Sequence, residues 1–123
     1  MPTQTNVAHP NDKDQNIFLT VNAGNANIMS ASISKNLELM PVDSDGNAFR
    51  ESVSFNLGLA SNLKGSEIQI FADLATNPAV SNPTLILTYS MSNVTFLTSK
   101  PHTLTSTSFS NGHDTFNVLI DLI

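Results

Sequence analysis

Apolar and polar residues alternate along almost the whole chain after Gln15, and the polar partner is usually Ser, Thr or Asn. Residues 48–59 show it best. The odd positions there hold Phe49, Glu51, Val53, Phe55, Leu57 and Leu59, and the even positions from 50 onward hold Arg50, Ser52, Ser54, Asn56 and Gly58. A period of two sends successive side chains to opposite faces of a strand, one dry and one wet. Eight strands are predicted on this basis, over residues 16–22, 28–40, 48–60, 67–74, 84–91, 94–99, 103–109 and 115–122, each bounded by Gly, Pro, Asn or Ser. No segment sustains a helical period, and residues 73–77 suit a single helical turn at most.

Eight short strands with turn signals roughly every 8 to 12 residues predict an all-β fold, a two-sheet β-sandwich of antiparallel strands. A Greek-key, immunoglobulin-like order is the first expectation and a jelly roll the alternative. The Cys and Trp residues that mark antibody domains are missing, so the likeness is one of architecture. Residues 1–14 are polar, hold Pro2 and Pro10, and show no apolar alternation. They read as a flexible N-terminal arm, with residues 15–123 as a single sandwich domain. As a docking strand the arm lacks regular apolar anchors.

Side-chain parity sharpens the pairing, because residues opposite each other in an antiparallel pair share a face. The apolar residues of the second and third predicted strands, such as Ile33 and Val53, both fall on odd positions. An odd-length loop must then join them, and Ser44-Asp45-Gly46 supplies a turn closed by a Gly bulge. In that hairpin Lys35 and Glu51 share the mostly apolar face and suit a rim ion pair. A two-residue Ser92-Asn93 turn would align Tyr89 with Phe96, and Asn111-Gly112 would set Thr107 opposite Phe116. The polar segment 103–109 reads as an edge strand. The last strand, apolar nearly throughout, is expected to be covered on both faces, and most of the seven Phe residues are assigned to the core.

Composition removes several function classes. Asn, Ser and Thr make up 42 of the 123 residues, and charged residues only 12%. The five cations, Lys13, Lys35, Arg50, Lys64 and Lys100, stand singly in a chain of formal charge −5. Nucleic acid and anionic membrane surfaces need clustered cations, so neither is an expected partner. No run of 18 uncharged apolar residues provides a membrane-spanning helix. Cysteine is absent, which excludes disulfides and thiolate metal sites. The polar opening segment has no secretory apolar stretch, which leaves a cytoplasmic chain or one exported without a cleaved signal.

Motifs for catalysis are missing. No serine lies in a G-x-S-x-G elbow, and no glycine-rich phosphate loop is present among five Gly. His9, His102 and His113 have no metal-ligand spacing and read as exposed loop histidines. Asp43-Ser44-Asp45-Gly46-Asn47 opens like a calcium loop, but Ala48 and Ser54 stand where the pattern needs Gly and Glu. Turn chemistry accounts for the same residues. No cofactor is expected, with calcium at this loop the one exception. Asn93-Val94-Thr95 is a glycosylation sequon.

Two functions follow. The first is a non-catalytic interaction or assembly module that self-associates or docks into a larger protein complex, as in a secreted, virion-like, tail-like or adhesive structure. The second is a lectin-like glycan binder using loop residues Asp43, Asp45, Asn47, Asn111 and Asp114. Against the second stands the lack of Trp and the single Tyr, the aromatics that usually stack on sugars. An enzyme is not expected.

Overall fold

Ile68, Ile70, Ala72 and Leu74 occupy every second position of one segment and are all fully buried. That segment is a strand, and the same rule builds most of the molecule. A computed structural model of the chain describes residues 2–11, 13–24, 26–40, 48–49, 53–76, 84–97, 102–107 and 112–123. In chain order the elements are β1 (Thr3–Pro10), β2 (Asn16–Gly24), β3 (Ala26–Lys35), β4 (Glu38–Leu39), β5 (Ala48–Phe49), β6 (Val53–Leu59), α1 (Ala60–Leu63), β7 (Glu67–Thr76), β8 (Leu85–Met91), β9 (Val94–Phe96), β10 (Thr103–Ser106) and β11 (His113–Leu122).

The strands form a two-sheet β-sandwich, mostly antiparallel. The larger sheet runs β4-β3-β7-β11-β1-β9, with β5 also paired to β3, and the smaller runs β10-β8-β2-β6. Neighbours in the sheets are seldom neighbours in sequence: β2 pairs with β6 in one sheet and β3, β7 and β11 lie side by side in the other, while β8 and β10 extend the smaller sheet and β9 lies beside β1.

Between the sheets lie Ile17, Leu19 and Val21 of β2, Ile33 of β3, Leu85 and Leu87 of β8, and Phe116, Val118 and Ile120 of β11. Burying each of the larger side chains contributes about 1.5–3 kcal/mol. Leu63 closes one end from α1. That single turn is held from outside, since Asp14 accepts hydrogen bonds from the Ser61 amide and hydroxyl, both at 2.9 Å. Between Ile17 and Phe18 the β2–β6 register shifts by one residue. Gly58 takes up the bulge at φ 116°, a conformation that a side chain would strain.

Several sequence expectations are corrected here. Residues 3–10 are no arm: β1 pairs parallel with β11 over six residues and antiparallel with β9. Its inward face carries Asn6, Ala8 and Pro10 rather than large apolar residues, which is why hydrophobic alternation hid it. The long strand 28–40 breaks at Asn36-Leu37, where β3 turns back into β4. The segment 48–60 also divides, into β5, β6 and the start of α1. Parity survives in Ala31 opposite Phe49, but β6 leaves β3 and pairs with β2. Turn Ser44-Asp45-Gly46 and residue Glu51 lie outside the described residues, and Lys35 stands opposite Glu38.

Two expected hairpins are not hairpins. At Ser92-Asn93 the chain passes from the smaller sheet to the larger, so β8 pairs with β2 while β9 pairs with β1. Likewise β10 pairs with β8 and β11 with β7, so Thr107 does not meet Phe116 across a ladder. The polar segment is an edge strand as expected, at the margin of the smaller sheet. Phe116 is fully buried, yet Phe18 and Phe71 point outward at 42% and 44% exposure. On β11, too, only one face is buried, and Thr115, Asn117, Leu119 and Asp121 remain partly open.

Candidate functional site

Of the loop residues named from sequence, Asp43, Asp45, Asn47 and Asn111 lie outside the described residues. Asp114 is placed, and it serves the fold. One carboxylate oxygen accepts the Ser106 hydroxyl at 2.6 Å and the other the Thr115 amide at 2.8 Å. Ser106 belongs to the smaller sheet and Asp114 to the larger, so the bond ties the sheets together at one end. The Ser106 hydrogen bond chiefly holds the Asp114 carboxyl below its ordinary pKa, opposed by burial and aided by the Thr115 amide. A depressed folded-state pKa stabilises the fold above about pH 4, and that contribution is lost as pH falls through the folded value. Ser106→Ala should therefore destabilise the chain at pH 7, and the gap to wild type should narrow below pH 4. Urea midpoints along a pH series measure it, and a gap independent of pH would reject the coupling.

The histidines are spread apart. His9 is exposed with Nδ1 3.1 Å from the Ile123 oxygen. His113 lies 3.2 Å from Asp73 Oδ1. His102, read from sequence as an exposed loop residue, is half-buried, stacked on Tyr89 with ring centres 5.2 Å apart and 4.0 Å from the Phe96 ring. A cleft of about 190 Å³ lined by His9, Asp14, Ser61 and Lys64 gathers reactive side chains. Its Ser61 hydroxyl donates to Asp14 and its histidine is engaged with Ile123, so no nucleophile–base pair forms there. Among the described residues no group of three or more His, Cys, Asp or Glu is arranged to hold a metal ion.

Buried polar groups sit instead between β1 and β8. Asn6 and Tyr89 are almost fully buried. Asn6 Nδ2 donates to the Tyr89 oxygen and to Gln4 Oε1, and the Tyr89 hydroxyl donates to Gln4 Oε1. Burial pushes the Tyr89 phenol above its ordinary pKa, with the Asn6 bond acting the other way. This cluster fastens β1 over the core.

The outer face of the larger sheet carries a broad uncharged area, within which Ser34 is buried. Register fixes its rows. Ser32, Phe71, Asn117 and Thr3 lie side by side across β3, β7, β11 and β1. Next to them run Leu39, Ser34, Gln69, Leu119 and Thr5. None of these nine residues is ionisable. Acids stand only in the flanking rows: Asp73, partnered by His113, on one side, and Glu67 and Asp121 on the other. Phe71 and Leu39 are 44% and 57% exposed, and Gln69 Nε2 donates to Asn117 Oδ1 at 2.8 Å, which holds the two amides in place. Sequence reading missed Phe71 by grouping it with core aromatics. The signal was available, because Ile68, Ile70, Ala72 and Leu74 put the inward parity on even positions.

Comparison with protein-family models, with curated proteins and with solved structures finds no match to this chain.

Proposed function

We propose that this chain is a non-catalytic β-sandwich interaction module that self-associates through the outer face of its larger sheet. The observation that supports it is the uncharged double row centred on Phe71 and bordered by Leu39. The cores of protein interfaces are depleted in charge and use aromatic anchors; this face is uncharged and carries one aromatic, Phe71. Desolvating Ser, Thr, Asn and Gln costs less than desolvating ions, and their hydrogen bonds can be remade across a contact. The acids at either margin suit a solvated rim.

Sedimentation equilibrium over a concentration series up to ~1 mM tests the reading. The wild-type chain should associate, and Phe71→Asn should weaken association by about tenfold or more, as loss of a central aromatic anchor does. Phe18 is equally exposed but lies on the smaller sheet, so Phe18→Asn should leave association unchanged. A strict monomer at every concentration would overturn the proposal.

A further inference from the structure

The turn between β3 and β4 contradicts ordinary turn chemistry. Asn36 and Leu37 have φ of 50° and 70°, the two positive values of a type I′ hairpin turn. Asparagine suits the first position, whereas the second is normally glycine, because a side chain there crowds its own backbone. A glycine would form the same turn without that crowding. Leu37 is also 81% exposed, more than the other large apolar residues with described side chains.

The tip is nonetheless tied down by hydrogen bonds. The Asn36 amide donates to the Glu67 oxygen and the Glu67 amide donates to Asn36 Oδ1, both at 2.9 Å. The Met40 amide closes the hairpin on the Ile33 oxygen at 2.9 Å. An apolar side chain is thus held out in water, in an unfavourable backbone conformation, on a hydrogen-bonded support. Such outliers cluster at binding and switch sites.

Beside the tip is a hollow of about 430 Å³ lined by Lys35, Asn36, Glu38, Leu39 and Met40. It exceeds the roughly 150 Å³ that receives a benzene-sized apolar group. Lys35 and Glu38 stand opposite each other at the base of the turn. A two-fold axis between two such tips would set each Lys35 against the other copy's Glu38, the self-complementarity of an isologous contact. Leu39 shares the row of Ser34 and Gln69, so the tip is continuous with the face described above.

We propose that a second copy of this chain is the occupant, with Leu37 of each copy seated in the hollow beside the other's hairpin tip. This rests on the self-association reading and names its anchor. The test pairs two measurements on full-length Leu37→Gly and Leu37→Asn, both of which relieve the backbone. Melting temperature, read at a dilution where wild type and variants are all monomeric, should rise by about 3 °C, while association at higher concentration weakens about tenfold. Opposite signs are the signature, since a leucine that served internal packing would lower both. If association is unchanged in both variants while Phe71→Asn weakens it, the tip assignment fails and the face stands. A lower melting temperature in both variants would also overturn it. If the wild type stays monomeric, the self-association reading itself falls and takes this assignment with it.

Discussion

Phe116→Ala is expected to destabilise the chain by about 3–5 kcal/mol, whereas Phe71→Ala should cost about 1 kcal/mol or less. Both residues lie in alternating strands and are Cα partners of neighbouring rows, Phe116 opposite Ala72 and Phe71 opposite Asn117. Parity alone separates them. Phe116 is enclosed between the sheets, so its removal leaves a cavity that Val118 and Ile120 on the same face cannot collapse to fill. Phe71 leaves only a thinner outer surface. For a domain of this size the core change should lower the melting temperature by about 10–20 °C, enough to consume much of a typical stability. Urea unfolding of the two variants side by side reads the contrast. Equal midpoints would mean that the two rings are equally enclosed, and a reversed order that the inward and outward faces of β7 and β11 are exchanged.

The buried cluster of Gln4, Asn6 and Tyr89 carries the second large effect. Asn6→Ala should cost about 1–3 kcal/mol, because Tyr89 and Gln4 each lose a buried donor. Tyr89→Phe should cost a similar amount. The double variant should fall short of the sum by about 1 kcal/mol or more, the coupling expected of groups in one network. Additive single effects would show that the three side chains do not act together. The raised phenol pKa adds a pH window: its contribution is complete below about pH 10 and disappears as pH rises through the folded-state value. Tyr89→Phe should remove that alkaline loss.

The strands were legible because Ile, Leu, Val and Phe recur at every second position, and β2, β7, β8 and β11 lie close to where alternation put them. Partnership was less so, for a physical reason. In a sandwich both sheets send their buried side chains into one core, so parity says which residues point inward and not which sheet holds them. Met91 and Val94 satisfy the parity of a two-residue hairpin equally well when the chain crosses between sheets at Ser92-Asn93. The strand β1 escaped notice because its buried positions are Asn6, Ala8 and Pro10, and their anchoring is a polar network. Its β-branched residues, Thr3, Thr5 and Val7, were the available sign. The turn at Asn36-Leu37 had no sign at all, since leucine continues the odd apolar series from Ile33 through Leu39. Of the candidate site, Asp114 was located in a turn and proved to be a tie between sheets, while the neutral face was visible as composition without a position.

One topological detail has a mechanical meaning. Because β1 and β11 run parallel, the Pro2 oxygen bonds the Asn117 amide at one end of the ladder and the Ala8 oxygen bonds the Ile123 amide at the other. Tension applied between residues 2 and 123 therefore acts lengthwise along two neighbouring strands and strains all the bonds between them together. In an antiparallel hairpin pulled from its open side, the bonds would break in succession. The geometry is that of a lap joint, in which the bonds of the ladder share the load.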